Sequence, residues 1–196
     1  MIAKEVIVHY HLGLGANLAP SLENIKRAIE FIKQRLLLNK FEKESLVVSS
    51  FYKSLAHNAP ADSHIKNQIT KKHFINCVVS FRSSFNPFTL FDIIRKIESE
   101  IDPNKINNQS KKIKLWQDRL IDIDLLLAGD QIINTDLLKV PHYDLTNRAF
   151  VLKPLLEISP HLIHPKSNQA LLKYSTSLPI KDWQTTQKIS LSHTTS

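Results

Sequence analysis

The stretch Glu5-Val-Ile-Val-His-Tyr-His-Leu-Gly-Leu14 places side chains alternately on two faces, with Val6, Val8, Tyr10, Leu12 and Leu14 together on one of them. A period of two predicts a β-strand, because successive side chains of a strand point to opposite sides. The following Gly13-Leu14-Gly15-Ala16-Asn17-Leu18 holds two glycines and an asparagine, which permit a sharp turn. From Ser21, a residue suited to a helix N-cap, apolar residues recur every three or four positions to Leu36. The chain is therefore predicted to begin as strand, tight turn and helix.

Two further strands and a second helix are predicted next. Residues 45–53 and 73–82 are rich in β-branched and aromatic side chains, as strands are. Asn86-Pro87 is typical of a helix cap followed by proline at the first helical position. Apolar residues then continue at helical spacing as far as Ile101.

The rest of the pattern indicates the fold class. Residues 121–127 alternate again, and Gly129-Asp130 predicts a two-residue hairpin turn into residues 131–133. The order β-α-β-β-α-β with a following hairpin predicts an α+β fold, a ferredoxin-like sandwich with an extra C-terminal hairpin and short helices. One of those helices is expected at Thr146–Lys153. The Ser- and Thr-rich Gln184–Ser196 is expected to be a frayed tail.

Length, charge and cysteine content exclude several classes. The 196 residues carry a net charge of +8 and a single cysteine, Cys77, which cannot form an internal disulfide. No apolar run approaches the roughly 18 residues of a membrane span, and Glu5, His9 and His11 interrupt the apolar stretch of the N-terminus. We therefore expect a cytoplasmic protein without a membrane partner. The charge fits nucleic acid, an anionic lipid surface or a polyanionic small ligand such as a nucleotide, and does not choose among them.

Asp122 and Asp124 are the sharpest chemical feature. Two residues apart on a predicted strand, they share one face, and adjacent carboxylates repel unless a cation lies between them. Oxygen ligands favour Mg²⁺, which completes its coordination with water and substrate phosphates. Asp-x-Asp alone is more often a solvated strand edge, but basic and aromatic groups accompany it in the sequence: Arg119, His142, Tyr143 and Arg148. Such a set is what phosphoryl-type transfer needs, and the absence of Gly-x-x-x-x-Gly-Lys-Ser/Thr from the sequence excludes a P-loop enzyme.

Several motifs together resemble the 6-hydroxymethyl-7,8-dihydropterin pyrophosphokinase family from about residue 6 to 165. They are Gly15-Ala16-Asn17-Leu18, Ser49-Ser50-Phe51-Tyr52, Phe74-Ile75-Asn76, Trp116 with Arg119-x-x-Asp122-x-Asp124, and Val140-Pro141-His142-Tyr143-Asp144 through Arg148-x-Phe150. The resemblance implies a ferredoxin-like fold and a folate-biosynthesis transferase. That kinase would move the terminal pyrophosphate of ATP onto the pterin hydroxymethyl group and release AMP. We expect a catalytic domain at residues 1–165 and a partly disordered C-terminal extension at 166–196.

The resemblance also implies roles for individual residues. Asp122 and Asp124 would hold two Mg²⁺ ions, with Arg119 beside them in catalysis and Asp124 as a candidate acceptor of the hydroxyl proton. The implied ATP-binding set is Glu98, Lys112, Lys114, Arg119, His142, Tyr143 and Arg148. The implied pterin-binding set, which suits a flat heterocycle that stacks on aromatic rings, is Phe74, Asn76, Trp116 and Phe150. For Glu98 a helix-surface pair with Arg95 is the competing interpretation. The expected partners are these two small molecules, without nucleic acid, and the expected state is a monomer.

The sequence departs from the family pattern in places. Gln117-Asp118 precedes Arg119 where the family usually carries Gly-Pro, and lysines replace the family's arginines in the loop at 102–115. Three alternatives stay open: a catalytically impaired homologue that binds pterin or nucleotide, a nucleic-acid binding module, and a fragment of a bifunctional folate enzyme. The two aspartates with His142 and Arg148 favour an active enzyme. Because residues 166–196 are too few for another catalytic domain, a stand-alone enzyme is expected.

Overall fold

The computed structural model describes residues 6–37, 46–55, 73–103 and 118–190. Its strands are β1 (Val8–Ala16), β2 (Val47–Val48), β3 (Tyr52–Leu55), β4 (His73–Ser83), β5 (Asp122–Ala128), β6 (Ile133–Asn134), β7 (Lys139–Val140), β8 (Ile163–His164), β9 (Gln169–Ala170) and β10 (Gln187–Lys188). Its helices are α1 (Ser21–Leu37), α2 (Pro87–Ile101), α3 (Ala149–Ile158), α4 (Leu171–Ser175) and α5 (Ile180–Thr185). None of these helices has the length and apolar character that crossing a bilayer requires.

An antiparallel sheet forms the centre of the molecule. Its strands follow the order β10-β3-β4-β1-β5, and β2 also pairs with β4. Helices α1 and α2 pack together on one face, as the sequence predicts, over a core that includes Tyr10, Leu12, Ile29 and Ile94. Helix α3 covers part of the other face, where Val78 lies in a second core with residues of α3 and α4. The predicted α+β class is confirmed.

The first strand extends further along the chain than its sequence pattern predicts. It runs over Val8–Ala16 rather than 5–14, so Gly13 and Gly15 lie within the strand instead of a turn. Their missing side chains matter for a different reason: a Cβ on Gly13 would lie 3.4 Å from the Leu126 side chain, and one on Gly15 would lie 3.0 Å from Asn76 Oδ1. These glycines therefore permit close packing of the sheet rather than a reversal of the chain.

The single strand predicted at 45–53 is divided into β2 and β3. Ser49 interrupts it, because its backbone N–H donates to the Val78 carbonyl at 2.9 Å while its Oγ accepts from the Val78 N–H at 2.9 Å. Ser50 then turns to Glu157 of α3, which accepts from its backbone N–H at 3.0 Å and from its Oγ at 2.7 Å. Side-chain hydrogen bonds to the backbone thus replace the regular ladder at this point.

The hairpin predicted across Gly129-Asp130 is wrong in its pairing. A turn does form there, with Gly129 at φ +57°, but β6 pairs with β7 rather than with β5. An extra hairpin is therefore present, one element later than predicted. Since only local turn chemistry was available, the sequence could not indicate which strand would accept the bonds of Ile133.

Two further boundaries differ from the predictions. The helix expected at Thr146–Lys153 is α3 at Ala149–Ile158, and it includes Pro154, which lies in the first two turns. The tail expected to fray from Gln184 instead continues through α5 into β10, where Gln187 pairs with Lys53. Lys188 Nζ adds a bond of 2.8 Å to Glu157, which explains why this polar segment stays on the sheet edge. Residues 191–196 lie outside the described part of the chain.

Candidate active site

Strand β5 presents the two aspartates to a cavity. Ile123 and Leu125 point into the core that lies under α1 and α2, so Asp122 and Asp124 face the opposite side of the sheet. The cavity has a volume of about 460 Å³. The charged residues that line it are Arg95, Arg119, Asp122, Asp124, Asp136, Lys139 and Arg148, with His142 and Tyr143 beside them. Four permanent cations and three carboxylates therefore line one open cavity, an arrangement suited to an anion with a metal ion.

Neighbouring residues of β1 leave the aspartates accessible. Gly13 pairs with Asp124, and Gly15 pairs with Asp122. Cross-strand partners lie on the same face of a sheet, and a glycine there covers nothing. The side chains of Asp122 and Asp124 consequently retain 25% and 32% of their exposure, enough to accept an incoming ligand.

Glu98 fixes the backbone between the two aspartates. It is buried, and its Oε1 accepts the Ile123 N–H at 2.9 Å. Its Oε2 forms an ion pair with Arg95 Nη1 at 2.5 Å, so the competing i,i+3 interpretation is confirmed as a contact, although on a buried carboxylate rather than a surface one. Glu98 holds β5 in place from beneath, and its predicted contact with ATP stays a prediction.

Arg119 reaches back to the first aspartate. Its guanidinium forms an ion pair with Asp122 Oδ2 and also lines the cavity. An arginine whose charge is shared between a carboxylate and an open cavity can turn toward a phosphate without leaving the carboxylate.

His142 is held as a neutral donor. Its Nδ1 accepts the Asp144 N–H at 3.3 Å, which leaves the ring proton on Nε2, and Nε2 lies 3.8 Å from Asp124 Oδ1. Burial lowers the pKa of His142 to about 4, and the Arg148 charge acts in the same direction against Asp144 and Asp122. At neutral pH the imidazole therefore offers an N–H to the cavity and carries no charge.

Arg148 also lines the cavity. Its Nη2 is 2.5 Å from Asp144 Oδ2, and its Cζ lies 5.9 Å from the ring of Tyr143, which is 68% exposed at the rim. The Arg148 Nε is buried and has no hydrogen-bond partner in the described part of the protein. Since an unsatisfied buried donor is costly, this atom is suited to an anionic ligand.

The charge state of Asp124 depends on its neighbours. Its pKa is raised to about 7, chiefly by burial and also by the negative charges of Asp122 and Glu98, while Arg148 and Arg119 act to lower it. The accessible third of the side chain faces the cavity, while protein displaces bulk water from the remainder. A carboxylate that resists ionisation in this way is suited to a bound cation or to proton transfer.

The donor set fits Mg²⁺ that arrives with a phosphate ligand. Within the described ranges no group of three or more His, Cys, Asp or Glu side chains could hold a metal ion by itself. Mg²⁺ commonly binds through one or two carboxylates and takes its other ligands from water and substrate phosphates. Asp122 and Asp124, facing an open cavity lined by cations, match that requirement.

Asn76, predicted to bind the pterin, lies on the same face of the sheet as the two aspartates but is not among the residues that line this cavity. Asn76 pairs with Gly15, which pairs with Asp122, so the three form one row across β4, β1 and β5. Two strand spacings separate Asn76 from Asp122, about 10 Å. The amide of Asn76 is oriented by Ser54, whose Oγ accepts from Nδ2 at 3.0 Å.

The other residues predicted to bind the pterin or ATP either lie away from the cavity or fall outside the described part of the chain. Phe150 lies at the start of α3 with its ring 5.7 Å from Arg148 Cζ, and Phe74 pairs with Ser54 two residues before Asn76 on β4. Neither lines the cavity. Lys112, Lys114 and Trp116 lie outside the described residues.

Sequence reasoning missed part of the cavity wall. The additional lining residues are Phe91, Arg95, Leu125, Asp136, Leu137, Leu138 and Lys139. Arg95 and Phe91 lie one and two turns before Glu98 on α2, a spacing that could have indicated a shared face. Residues 136–138 lie between β6 and β7, and Lys139 begins β7; they carry no motif, so only the hairpin pairing reveals their position.

Comparison with known families agrees with this geometry. A family model for 7,8-dihydro-6-hydroxymethylpterin-pyrophosphokinase (HPPK) matches residues 11–160. The chain belongs to the HPPK family. The match includes the aspartate strand, the residues from Arg119 to Arg148 and the whole of α3.

Individual HPPK relatives are similar over most of their length. The 2-amino-4-hydroxy-6-hydroxymethyldihydropteridine pyrophosphokinase of Aquifex aeolicus is 34% identical over 171 residues, 87% of this chain and 92% of that protein. The protein of the same name from Haemophilus influenzae is 32% identical over 157 residues, 80% of this chain and 85% of its own.

Solved structures share the fold. Wild-type HPPK-DHPS of Plasmodium falciparum with pterin and p-hydroxybenzoate aligns with a TM-score of 0.61 at 14% identity, over 96% of this chain and 48% of that one. The same protein with pteroate gives a TM-score of 0.61 at 13% identity, over 89% and 45%. This chain thus spans about half the length of those proteins, and the likeness concerns the fold alone.

Proposed function

We propose that this chain is an active, Mg²⁺-dependent pyrophosphokinase of folate biosynthesis. It transfers the terminal pyrophosphate of ATP to the hydroxymethyl group of 6-hydroxymethyl-7,8-dihydropterin and releases AMP. The observation that carries the proposal is the convergence of Asp122 and Asp124 with Arg119, His142 and Arg148 on one cavity in a member of the HPPK family. No observation favours the binding-only homologue or the nucleic-acid binding module.

The basic residues would bind the triphosphate. Arg119 and Arg148 both line the cavity, and His142 offers its Nε2–H to it. Arg148 Nε would gain the acceptor that it lacks. Because His142 is neutral, it would orient a phosphate oxygen by hydrogen bonding rather than by charge, and the arginines would offset the charge of the leaving AMP. Lys112 and Lys114 would add positive charge to the same set.

Asp122 and Asp124 would hold the two Mg²⁺ ions. When bound, such ions neutralise phosphate charge and align the attacking and leaving oxygens of an in-line displacement. The hydroxyl oxygen forms its bond to the β-phosphorus while the bond between that phosphorus and the α,β-bridging oxygen breaks. The hydroxyl proton would pass to a carboxylate oxygen of Asp124.

The pterin would lie along the row that joins Asn76 to Asp122. Asn76 would read the polar edge of the heterocycle, with Phe74, Phe150 and Trp116 as its aromatic contacts. Gly15 places no side chain between Asn76 and Asp122, which would let the hydroxymethyl group approach the aspartates. The oriented amide of Asn76 supports this assignment.

The proposal also includes the type of α+β fold, the domain bounds, the cellular location and the oligomeric state. The order β3-β4-β1-β5 with α1 and α2 on one face supports a ferredoxin-like βαββαβ core. We propose a catalytic domain at 1–165 with an extension at 166–196, in a cytoplasmic monomer that binds ATP and the pterin but no nucleic acid. Sedimentation with and without ATP would test the monomer.

The direct experiment compares wild type with Asp122→Asn and Asp124→Asn. AMP release from ATP, Mg²⁺ and the pterin is followed, with Asp130→Asn as the matched control, since Asp130 is exposed in the turn after β5. We expect pterin-dependent AMP release that either site substitution lowers by about 10³-fold or more, the size of an electrostatic contribution. A folded wild type that binds ATP yet releases no AMP would contradict the proposal.

A further inference from the structure

Arg119 is held by the end of β1. The Asn17 side-chain Oδ1 accepts the Arg119 N–H at 2.8 Å. The backbone N–H groups of Asn17 and Leu18 both donate to the Arg119 carbonyl, at 3.2 and 3.3 Å. Both backbone polar groups of Arg119 are thus bonded to a segment 102 residues earlier in the chain.

Asp118 determines which way the Asn17 amide points. Asn17 Nδ2 donates to Asp118 Oδ1 at 2.8 Å, a bond strengthened by the carboxylate charge. With Nδ2 committed to Asp118, Oδ1 is left for the Arg119 N–H, the only arrangement of this amide that satisfies both neighbours. A carboxylate thus orients an amide, and the amide holds the backbone of a cavity arginine.

These contacts locate the start of a long side chain. Arg119 lies three residues before Asp122, and its guanidinium must meet that carboxylate while still facing the cavity. Arginine carries several rotatable bonds, so a shift of its Cα displaces the charged end, and misplacement by about 1 Å can lower a rate about 10²-fold. Gln117-Asp118 lacks the rigidity that a proline would give before Arg119, and the bond to Asn17 supplies a restraint in its place.

We infer that Asn17 and Asp118 are positioning residues that act on the transferase reaction through Arg119. The inference rests on the proposed function for its kinetic readout. Asn17 is not among the residues that line the cavity, whereas Arg119 is. Substitution of Asn17 should therefore have no kinetic effect when the Arg119 side chain is absent.

A double-mutant cycle tests this inference. Kinetics and binding of a non-hydrolysable ATP analogue with Mg²⁺ are measured for wild type, Asn17→Ala, Arg119→Ala and the double variant. We expect Asn17→Ala to lower kcat/KM for ATP about tenfold and to leave KM for the pterin within about twofold. In the Arg119→Ala background the same substitution should have an effect of less than about twofold, since coupled residues are not additive. Equal losses in both backgrounds would overturn the inference.

Exchanging the amide and the carboxylate between Asn17 and Asp118 gives a second test, which does not depend on removing a side chain. Asn17→Asp places two carboxylates together and should lower ATP-analogue affinity about tenfold, whereas Asn17→Asp with Asp118→Asn restores an amide and carboxylate pair and should recover most of it. In this double variant the carboxylate introduced by Asn17→Asp can still accept the Arg119 N–H. Failure of the pair to recover, with unfolding midpoints equal to wild type, would overturn the inference.

The controls separate this inference from the proposed function. Glu30→Gln alters an exposed ion pair with Lys33 on α1 and should change neither readout. If wild type releases no AMP but analogue affinity still follows the cycle, the proposed function fails and the positioning role stands. If wild type is active and the cycle is additive, only the positioning role fails.

Discussion

Gly15 of β1 and Asn76 of β4 are direct partners across the sheet, and a Cβ on Gly15 would lie 3.0 Å from Asn76 Oδ1. This is closer than a carbon and an oxygen normally approach, so any larger residue at position 15 must displace the amide. The amide is in turn held by Ser54 Oγ at 3.0 Å. The glycine therefore maintains both the orientation of Asn76 and the open row toward Asp122.

Gly15→Ala should weaken the pterin site selectively. Displacement of the Asn76 amide is expected to raise KM for the pterin about tenfold, the cost of roughly one misaligned hydrogen bond, with KM for ATP nearly unchanged. Steady-state kinetics check this. Gly13→Ala is the matched control, because the atoms nearest to its Cβ would belong to the Leu126 side chain, at 3.4 Å, and not to Asn76. A larger rise in KM for the pterin with Gly13→Ala than with Gly15→Ala would contradict the account.

Glu98→Ala should destabilise the protein through β5. It leaves the buried Ile123 N–H without its acceptor, at an expected cost of about 1–3 kcal/mol in the free energy of unfolding. Urea unfolding measures the loss, and Glu98→Gln should recover part of it, since its amide oxygen can still accept. Glu100→Ala, which breaks an exposed pair with Arg35, is the control and should cost about 0–1 kcal/mol. Equal costs for the two alanine variants would show that the Ile123 bond does not stabilise β5.

His142→Gln should alter the pH dependence of stability in a defined direction. Because the pKa of His142 is lowered to about 4, the unfolded chain binds a proton that the folded protein does not between about pH 6.5 and 4. The wild type therefore loses stability as pH falls through that window, and the variant should lose less. Chemical unfolding at pH 7.5 and 5 measures the difference. Parallel losses in wild type and variant would mean that His142 titrates normally.

Asp124→Asn should stabilise the metal-free protein at alkaline pH. A pKa raised to about 7 means that the folded protein holds a proton which the unfolded chain releases near 4, so stability falls as pH rises between these values. The amide removes that loss. Thermal unfolding in EDTA should give a higher midpoint for the variant at pH 8, and no difference at pH 3.5. A lower midpoint at pH 8 would contradict a raised pKa of Asp124 in the folded protein.

The sequence predicts the alternating and periodic elements well because their burial pattern is local. The stripe of α1 and the strand that carries Asp122 both follow from spacing alone. The break at Ser49 and the pairing of β6 with β7 could not be read, since each depends on partners distant in the chain, Val78 and Val140.

The candidate site divides in the same way. Asp122 and Asp124 were identified by their spacing, and Arg119, His142 and Arg148 by their proximity in the sequence. The hydrogen bonds between Asn17 and Arg119 join residues 102 positions apart, so no local sequence pattern indicates them. Gly15 was interpreted as a turn residue, because a requirement for close packing against Asn76 resembles a requirement for a turn.

The central claim is that pyrophosphate moves as a unit, and ³¹P NMR of the products tests it most directly. Wild-type protein is incubated with ATP, Mg²⁺ and 6-hydroxymethyl-7,8-dihydropterin, and the spectrum is recorded over time. The account predicts the AMP resonance together with the two coupled resonances of a pterin diphosphate, in equal amounts. ADP with a pterin monophosphate, or AMP with free pyrophosphate regardless of pterin, would contradict it.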